Sequence, residues 1–279
     1  MSDKRVDLAY AFRPCLMCFV LLLTTQLVAA GQSVTNKAWS VLETGLCDKS
    51  TEKRAQAVSQ LGLIPGDKRA IDMAERALDD PSPAVRRAAL TALGDMNARA
   101  SLHKIKVLAR HADAKTVVTI AAVLKKLGDP EAYDIYYQLL TGKRKSGDSI
   151  LDGIKDRKGL EKMGVETAIG FAPFGGVGTG AYDYFKQNDS SHANLYVTAV
   201  AALADDRDPA AEKALVHASC ASKDAVKIAA LRALAKRGDP TVVKQIEPEM
   251  CSDKATVRYT AAATVVHLLD VRHNRRSER

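Results

Sequence analysis

Six ten-residue segments of this chain are variants of one another, and they restrict its fold more than any other feature. They are KRAQAVSQLG ending at Gly62, VRRAALTALG at Gly94, TIAAVLKKLG at Gly128, LYVTAVAALA at Ala204, VKIAALRALA at Ala235 and VRYTAAATVV at Val266. The last large apolar residues, Leu61, Leu93, Leu127, Leu203, Leu234 and Val265, are spaced by 32, 34, 76, 31 and 31 residues. A period in the low thirties fits one helical hairpin per repeat. Within each segment Ala and large aliphatic residues recur at helical spacing, which marks an amphipathic helix with one buried face.

A second helix follows each segment after a short break. Asp129-Pro130, Asp208-Pro209 and Asp239-Pro240 place a capping carboxylate before a proline that has no helical hydrogen bond to lose. Helices such as Pro130 to Leu140 and Pro240 to Met250 are expected to run about three turns from these starts. No segment shows sustained strand alternation. The expected fold class is all-α, a right-handed α-α superhelix of about six or seven hairpins whose concave surface is lined by the second helices. Because each hairpin of such a stack buries its apolar face against its neighbours, the ends need caps. Residues 31–47, with Trp39, Val41 and Leu42, read as an N-terminal capping helix, and the polar stretch after Leu269 ends the stack.

The run Asp79-Asp80-Pro81-Ser82-Pro83-Ala84-Val85-Arg86-Arg87-Ala88-Ala89 resembles the HEAT repeats of the phycobilisome-lyase type. The same skeleton returns at Asp224, Val226, Ala229, Ala230 and Leu234, and again at Asp253, Val257, Arg258 and Ala261. The resemblance covers most of residues 48–270 and implies a HEAT-like solenoid. It implies no particular chemistry, since function on a shared fold lives in individual sites.

The first thirty residues have another character. Lys4, Arg5 and Arg13 precede the apolar run Leu16 to Leu23, and Val28-Ala29-Ala30 closes with small residues, the pattern of a secretory signal peptide. Cleavage is expected after Ala30, with an uncleaved membrane anchor as the alternative. The remaining chain carries 38 basic and 31 acidic side chains, a net of +7, much of it in a basic tail at residues 271–279. No long basic block or aromatic-basic RNA motif accompanies it, so nucleic acid is not the expected partner. Cys47, Cys220 and Cys251 all stand 14 residues before a landmark residue, and so share one repeat position. Cys220 and Cys251, on successive hairpins, form the candidate disulfide. Cys47 is several repeats away along the chain and is not expected to join them.

The repeat is interrupted at residues 142–190, an irregular insert or degenerate repeat between the repeat blocks 48–141 and 191–270. Its stretch from Ala168 to Ala181 is Gly-rich and uncharged, and nine of the eleven aromatic residues after residue 30 lie between Tyr133 and Tyr196. One reading is packing, because an irregular segment needs larger side chains where Ala-Ala contacts fill the space elsewhere. The other is a binding surface, since Tyr and Phe are enriched at interfaces. Gly176-Val-Gly178-Thr-Gly180 lacks the preceding strand of a dinucleotide loop, and Gly142-Lys-Arg-Lys-Ser-Gly147 has Asp148 where a phosphate-binding Lys would stand.

Enzymes exist on similar repeats. The di-iron deoxyhypusine hydroxylases require His-Glu pairs, and none of the six histidines here precedes a Glu. A bilin lyase is the enzyme-class alternative implied by the repeat type, without a local bilin site to support it. No metal or other cofactor is expected. The sequence therefore points to a non-catalytic, exported scaffold for a protein or peptide partner. Tyr133, Tyr136, Tyr137, Phe171, Phe174, Tyr182 and Tyr184 are the candidate binding residues, and Arg86, Arg87, Lys227 and Arg258 are peripheral charges. The structural alternative for these cations is pairing with a neighbouring repeat's Asp. A second functional class is a membrane-surface module whose apolar insert dips into lipid.

Overall fold

The computed structural model describes residues 33–140 and 197–277, apart from His111, Thr198 and Arg207. All regular elements among these are helical. In chain order they are α1 (33–46), α2 (Thr51–Gln60), α3 (Lys68–Ala77), α4 (Pro83–Asp95), α5 (Leu102–Ala109), α6 (Ala114–Lys126) and α7 (Glu131–Leu140). After residue 196 come α8 (197–203), α9 (Pro209–Ser219), α10 (Asp224–Arg237), α11 (Val243–Ile246) and α12 (Ala255–Ser277). The fold is an all-α solenoid.

Local chemistry sets the helix starts. Asp67, Asp113 and Asp208 accept the free amides of Ala70, Thr116 and Ala210 at 2.8, 3.0 and 2.7 Å, and Asp129 and Asp239 do the same for Glu131 and Thr241. Asp129, Asp208 and Asp239 are the capping carboxylates expected from the Asp-Pro pairs, and Asp67 and Asp113 add two that no proline marks. The helix expected from Pro240 to Met250 is instead broken into a 3₁₀ turn at Pro240–Val242, the single turn α11, and a second 3₁₀ turn at Glu247–Cys251. Pro248 explains the break, because it has no N–H to donate and its ring crowds the preceding turn.

The repeat segments form one layer. Helices α10, α12, α2, α4 and α6 pack side by side in that order, while α3, α5, α9 and α11 each lie against their partners α4, α6, α10 and α12. At the α10 edge Lys236 bonds Asp205 at 2.8 Å and Arg237 reaches the carbonyl of Leu203, which sets α8 next in line. The helices that touch their equivalents are those of the repeat segments, so the first helix of each expected hairpin belongs to this continuous inner layer and the second packs outside it. Ala-rich faces permit this closeness: a Cβ on Gly94 would already stand 3.3 Å from Val123 Cγ1.

This order differs from the order of the chain. The C-terminal helix α12 packs on α2, the first repeat helix, so the two ends of the described chain meet in mid-stack. Residues Tyr259 to Val266 are all buried, as are Leu268 and Leu269. A helix apolar on all sides must be covered on all sides, and α12 is covered by α10, α11 and α2. Two expectations are corrected accordingly. The 31–47 segment is helical from residue 33 but does not cap a free end, because Gly45 lies against the Tyr259 ring of the last repeat. The stretch after Leu269 does not end the stack, since Val271 also lies against Gly238. The basic tail 271–279 is helical through Ser277. The two edges of the described stack are α7 and α8, which flank residues 141–196.

Candidate functional site

The recurrent cations of the repeat turn inward to the backbone. Arg54, Arg86 and Arg258 occupy one repeat position, and each donates from Nη1 to the carbonyl of the residue six positions earlier, Asp48, Asp80 and Ser252, at 3.0, 2.9 and 2.6 Å. They tie down the loop before each inner helix. Arg54 also forms a two-pronged bond to Asp80 of the next repeat at 2.9 and 3.1 Å, and that bond holds the Asp80 carboxyl below the usual carboxylate range. Arg86 and Arg87 approach Asp113 at 4.0 and 3.9 Å, and Lys227 pairs with Glu249 at 2.9 Å. Arg54, Arg86 and Arg87 reach an Asp of the next repeat, as the structural reading of their periodicity expected, whereas Lys227 pairs with a Glu and Arg258 bonds its own loop.

The seam between the chain ends holds a polar network that the sequence reading missed. Buried Gln60 on α2 accepts from Arg232 Nη2 on α10 and from Thr260 Oγ1 on α12, both at 3.2 Å. The Gln60 amide in turn donates to Ser59 Oγ at 2.9 Å. Arg232 thus reaches across α12 and ties three inner helices together. Burial lowers the Arg232 guanidinium to about 10, against the opposing charge of Asp95 on α4, so it remains cationic at neutral pH. On the outer side Lys37 of α1 approaches Glu247 at 3.4 Å. The one sequence signal for this network is Gln60 itself, a long amide in a stripe where Ala92 and Ala233 occupy the equivalent positions.

Among the predicted binding residues, Tyr133, Tyr136 and Tyr137 share α7. Tyr136 turns to the core, and burial raises its phenol. Tyr133 and Tyr137, four residues apart on one face, are 63% and 58% exposed. A shallow hollow of about 490 Å³ lies between α5 and α7, lined by Asp129, Glu131, Asp134 and Ile135 and bridged by Lys106, which pairs with Asp129 at 2.7 Å and Glu131 at 3.1 Å; neither exposed tyrosine is among its lining residues. Phe171, Phe174, Tyr182 and Tyr184, with the Gly-rich stretch around them, lie outside the described residues.

Cys47, Cys220 and Cys251 are free and exposed thiols, so the Cys220–Cys251 bond is not formed in this structure. The separation of Cys47 is corrected too: its hairpin is the spatial neighbour of the one that carries Cys251. Among the described residues no group of three or more His, Cys, Asp or Glu side chains is placed to hold a metal ion, and no helix is long and apolar enough to cross a membrane.

With this geometry in place, comparison with protein families gives one match: residues 40–125 and 79–146 fit the family of HEAT repeats. Residues 40–146 carry HEAT repeats. The matched stretch takes in α2 to α7, and the same segment returns on α10 and α12 in the same layer of the stack. The HEAT-repeat region is a helical scaffold. No curated protein matches the chain.

Proposed function

We propose that this protein is a non-catalytic scaffold that holds a protein or peptide partner, outside the cytoplasm after export on residues 1–30, with the solvent face of α7 as part of its contact surface. The supporting observation is the exposed pair Tyr133 and Tyr137 on the helix at one edge of the stack. Large aromatic side chains dominate binding energy at protein interfaces, and a hollow with charged and apolar lining residues opens on the same helix. The inner face supports a partner less well, because Arg232, Gln60 and Thr260 draw its helices together.

A photo-crosslinking phenylalanine at position 133 tests the reading in cells. The expected result is one recurrent protein adduct, absent when the same group is placed at Thr91 on the inner layer. With that partner in hand, Tyr133→Ala together with Tyr137→Ala should weaken binding by about ten- to thirtyfold, the loss of roughly 2 kcal/mol typical of a hot spot. No adduct at 133, or unchanged affinity in the double variant, refutes α7 as the contact surface.

A further inference from the structure

The seam between α12 and α2 differs from the other contacts of the inner layer in how the chain reaches it. Elsewhere, helices that pack side by side follow each other closely: α2 leads to α4 through α3, α4 to α6 through α5, and α10 to α12 through α11. At the seam, Gln60 and Thr260 meet from 200 positions apart. Non-covalent contacts alone join the two sides there. Gln60 accepts from Arg232 and Thr260, Lys37 approaches Glu247 at 3.4 Å, and Gly45 lies against the Tyr259 ring.

The covalent path between the two sides leaves from α7 at one edge of the stack and returns at α8 on the other. To close the seam within one chain, residues 141–196 must bridge the whole row of α6, α4, α2, α12, α10 and α8, about 50 Å at ordinary helix spacings. Two copies offer a shorter path. Laid antiparallel about a twofold axis, two stacks set the α7 edge of each beside the α8 edge of the other. Each bridge then crosses about 20 Å, the thickness of two packed helix layers. A tether held at the longer distance has fewer conformations left to it, so the shorter crossing is favoured by chain entropy.

We propose that the seam is a docking surface for a second copy of this chain: α11 and α12 of each copy seat on α1 and α2 of the other, giving an exchanged, twofold dimer. Every contact of the seam is kept, because residues 33–140 of one chain receive residues 197–277 of the other. The polar network selects this partner over other Ala-rich edges. Where α12 has Thr260, α4 has Ala88 and α10 has Ala229. A foreign face of the common kind leaves the buried Gln60 oxygen without its donors, which is unfavourable in a dry contact. Since the same contacts form within one chain or between two, chain concentration during folding sets the share of each form.

The test uses the full chain, light and uniformly ¹⁵N-labelled in equal amounts, unfolded together under reducing conditions. The mixture is refolded near the ~1 mM effective concentration of a tethered partner. The dimer fraction from gel filtration is then crosslinked at its thiols with a reagent of about 10 Å reach and digested for mass spectrometry. The expected result is a dimer in which about half of the Cys47–Cys251 links pair a light with a heavy peptide, the share for random pairing across a twofold interface. Cys220–Cys251 links, which lie within one exchanged unit, should stay all light or all heavy. Refolding at about a hundredfold lower concentration should return single chains with unmixed Cys47–Cys251 links. No dimer at the higher concentration overturns the proposal. So does a dimer without mixed Cys47–Cys251 links, which would place its interface outside the seam.

Discussion

Helix α12 carries a repeat segment and α7 is the second helix that follows one, and the two sit in opposite surroundings. The chain's last helix lies in the middle of the stack, with an unbroken run of buried residues from Tyr259 to Val266. Helix α7, from the middle of the chain, lies at the edge and exposes two tyrosines. Nearest-neighbour packing treats all repeat helices alike, since each needs only a partner face of the same Ala-rich kind. Covalent order therefore does not decide which faces meet. In this molecule the termini close on each other, and the repeat helices nearest the insert become the edges.

That contrast can be broken most severely by placing the same charge in each helix. Val266→Asp buries a carboxylate with no partner and should unfold the protein or cost more than about 4 kcal/mol. Tyr133→Asp should change stability by less than about 0.5 kcal/mol, as exposed positions do. Urea unfolding of the two variants reads the difference, and similar midpoints would erase the contrast.

The next effect sharpens the seam. A Cβ on Gly45 would stand 2.6 Å from the Tyr259 ring and 2.8 Å from Ala57 Cβ, so Gly45→Ala should cost about 1–3 kcal/mol through overpacking. The better helix propensity of Ala offsets part of that cost. A double-mutant cycle with Tyr259→Ala should recover much of the loss. A neutral or stabilising Gly45→Ala would separate α1 from the C-terminal repeat.

Smaller still is the link between successive repeats. Arg54→Ala leaves Asp80 without its two-pronged partner and should cost about 1–2 kcal/mol at pH 7, the loss of a charged hydrogen bond in a partly buried site. Because Arg54 lowers the Asp80 carboxyl, its benefit exists above the unfolded carboxylate range and fades as pH falls below about 4. The gap between wild type and Arg54→Ala in thermal unfolding should narrow there. A constant gap would mean that Arg54 acts through the loop carbonyls of Asp48 and Lys49 alone.

Much of the architecture was legible in the residues. The six segments fall on inner-layer helices, and Asp129, Asp208 and Asp239 cap where the Asp-Pro pairs mark a helix start. The order of the stack was not read, because Leu93 and Val265 mark interchangeable faces. A signal for it did exist. From Tyr259 to Leu269 the only polar side chains are Thr260, Thr264 and His267, too few for a helix with one face in water. Both buried threonines reach backbone carbonyls, Thr260 to Thr256 at 2.7 Å and Thr264 to Leu231 at 3.3 Å, so their hydroxyls do not need solvent. Of the candidate site only the α7 tyrosines could be placed. Tyr136 turns to the core because three tyrosines within five positions of a helix cannot all share one face.

The closure of the chain ends is tested most directly with the native cysteines. Cys47, Cys251 and Cys220 hold one repeat position on three successive hairpins of the spatial stack, so neighbours should lie about 10 Å apart and the outer two about twice that. A thiol crosslinker of about 10 Å reach, followed by peptide mass spectrometry, should yield Cys47–Cys251 and Cys220–Cys251 links and no Cys47–Cys220 link. A Cys220–Cys251 link alone, with Cys47 modified but never bridged, would show that the repeats stack in chain order and would contradict the account.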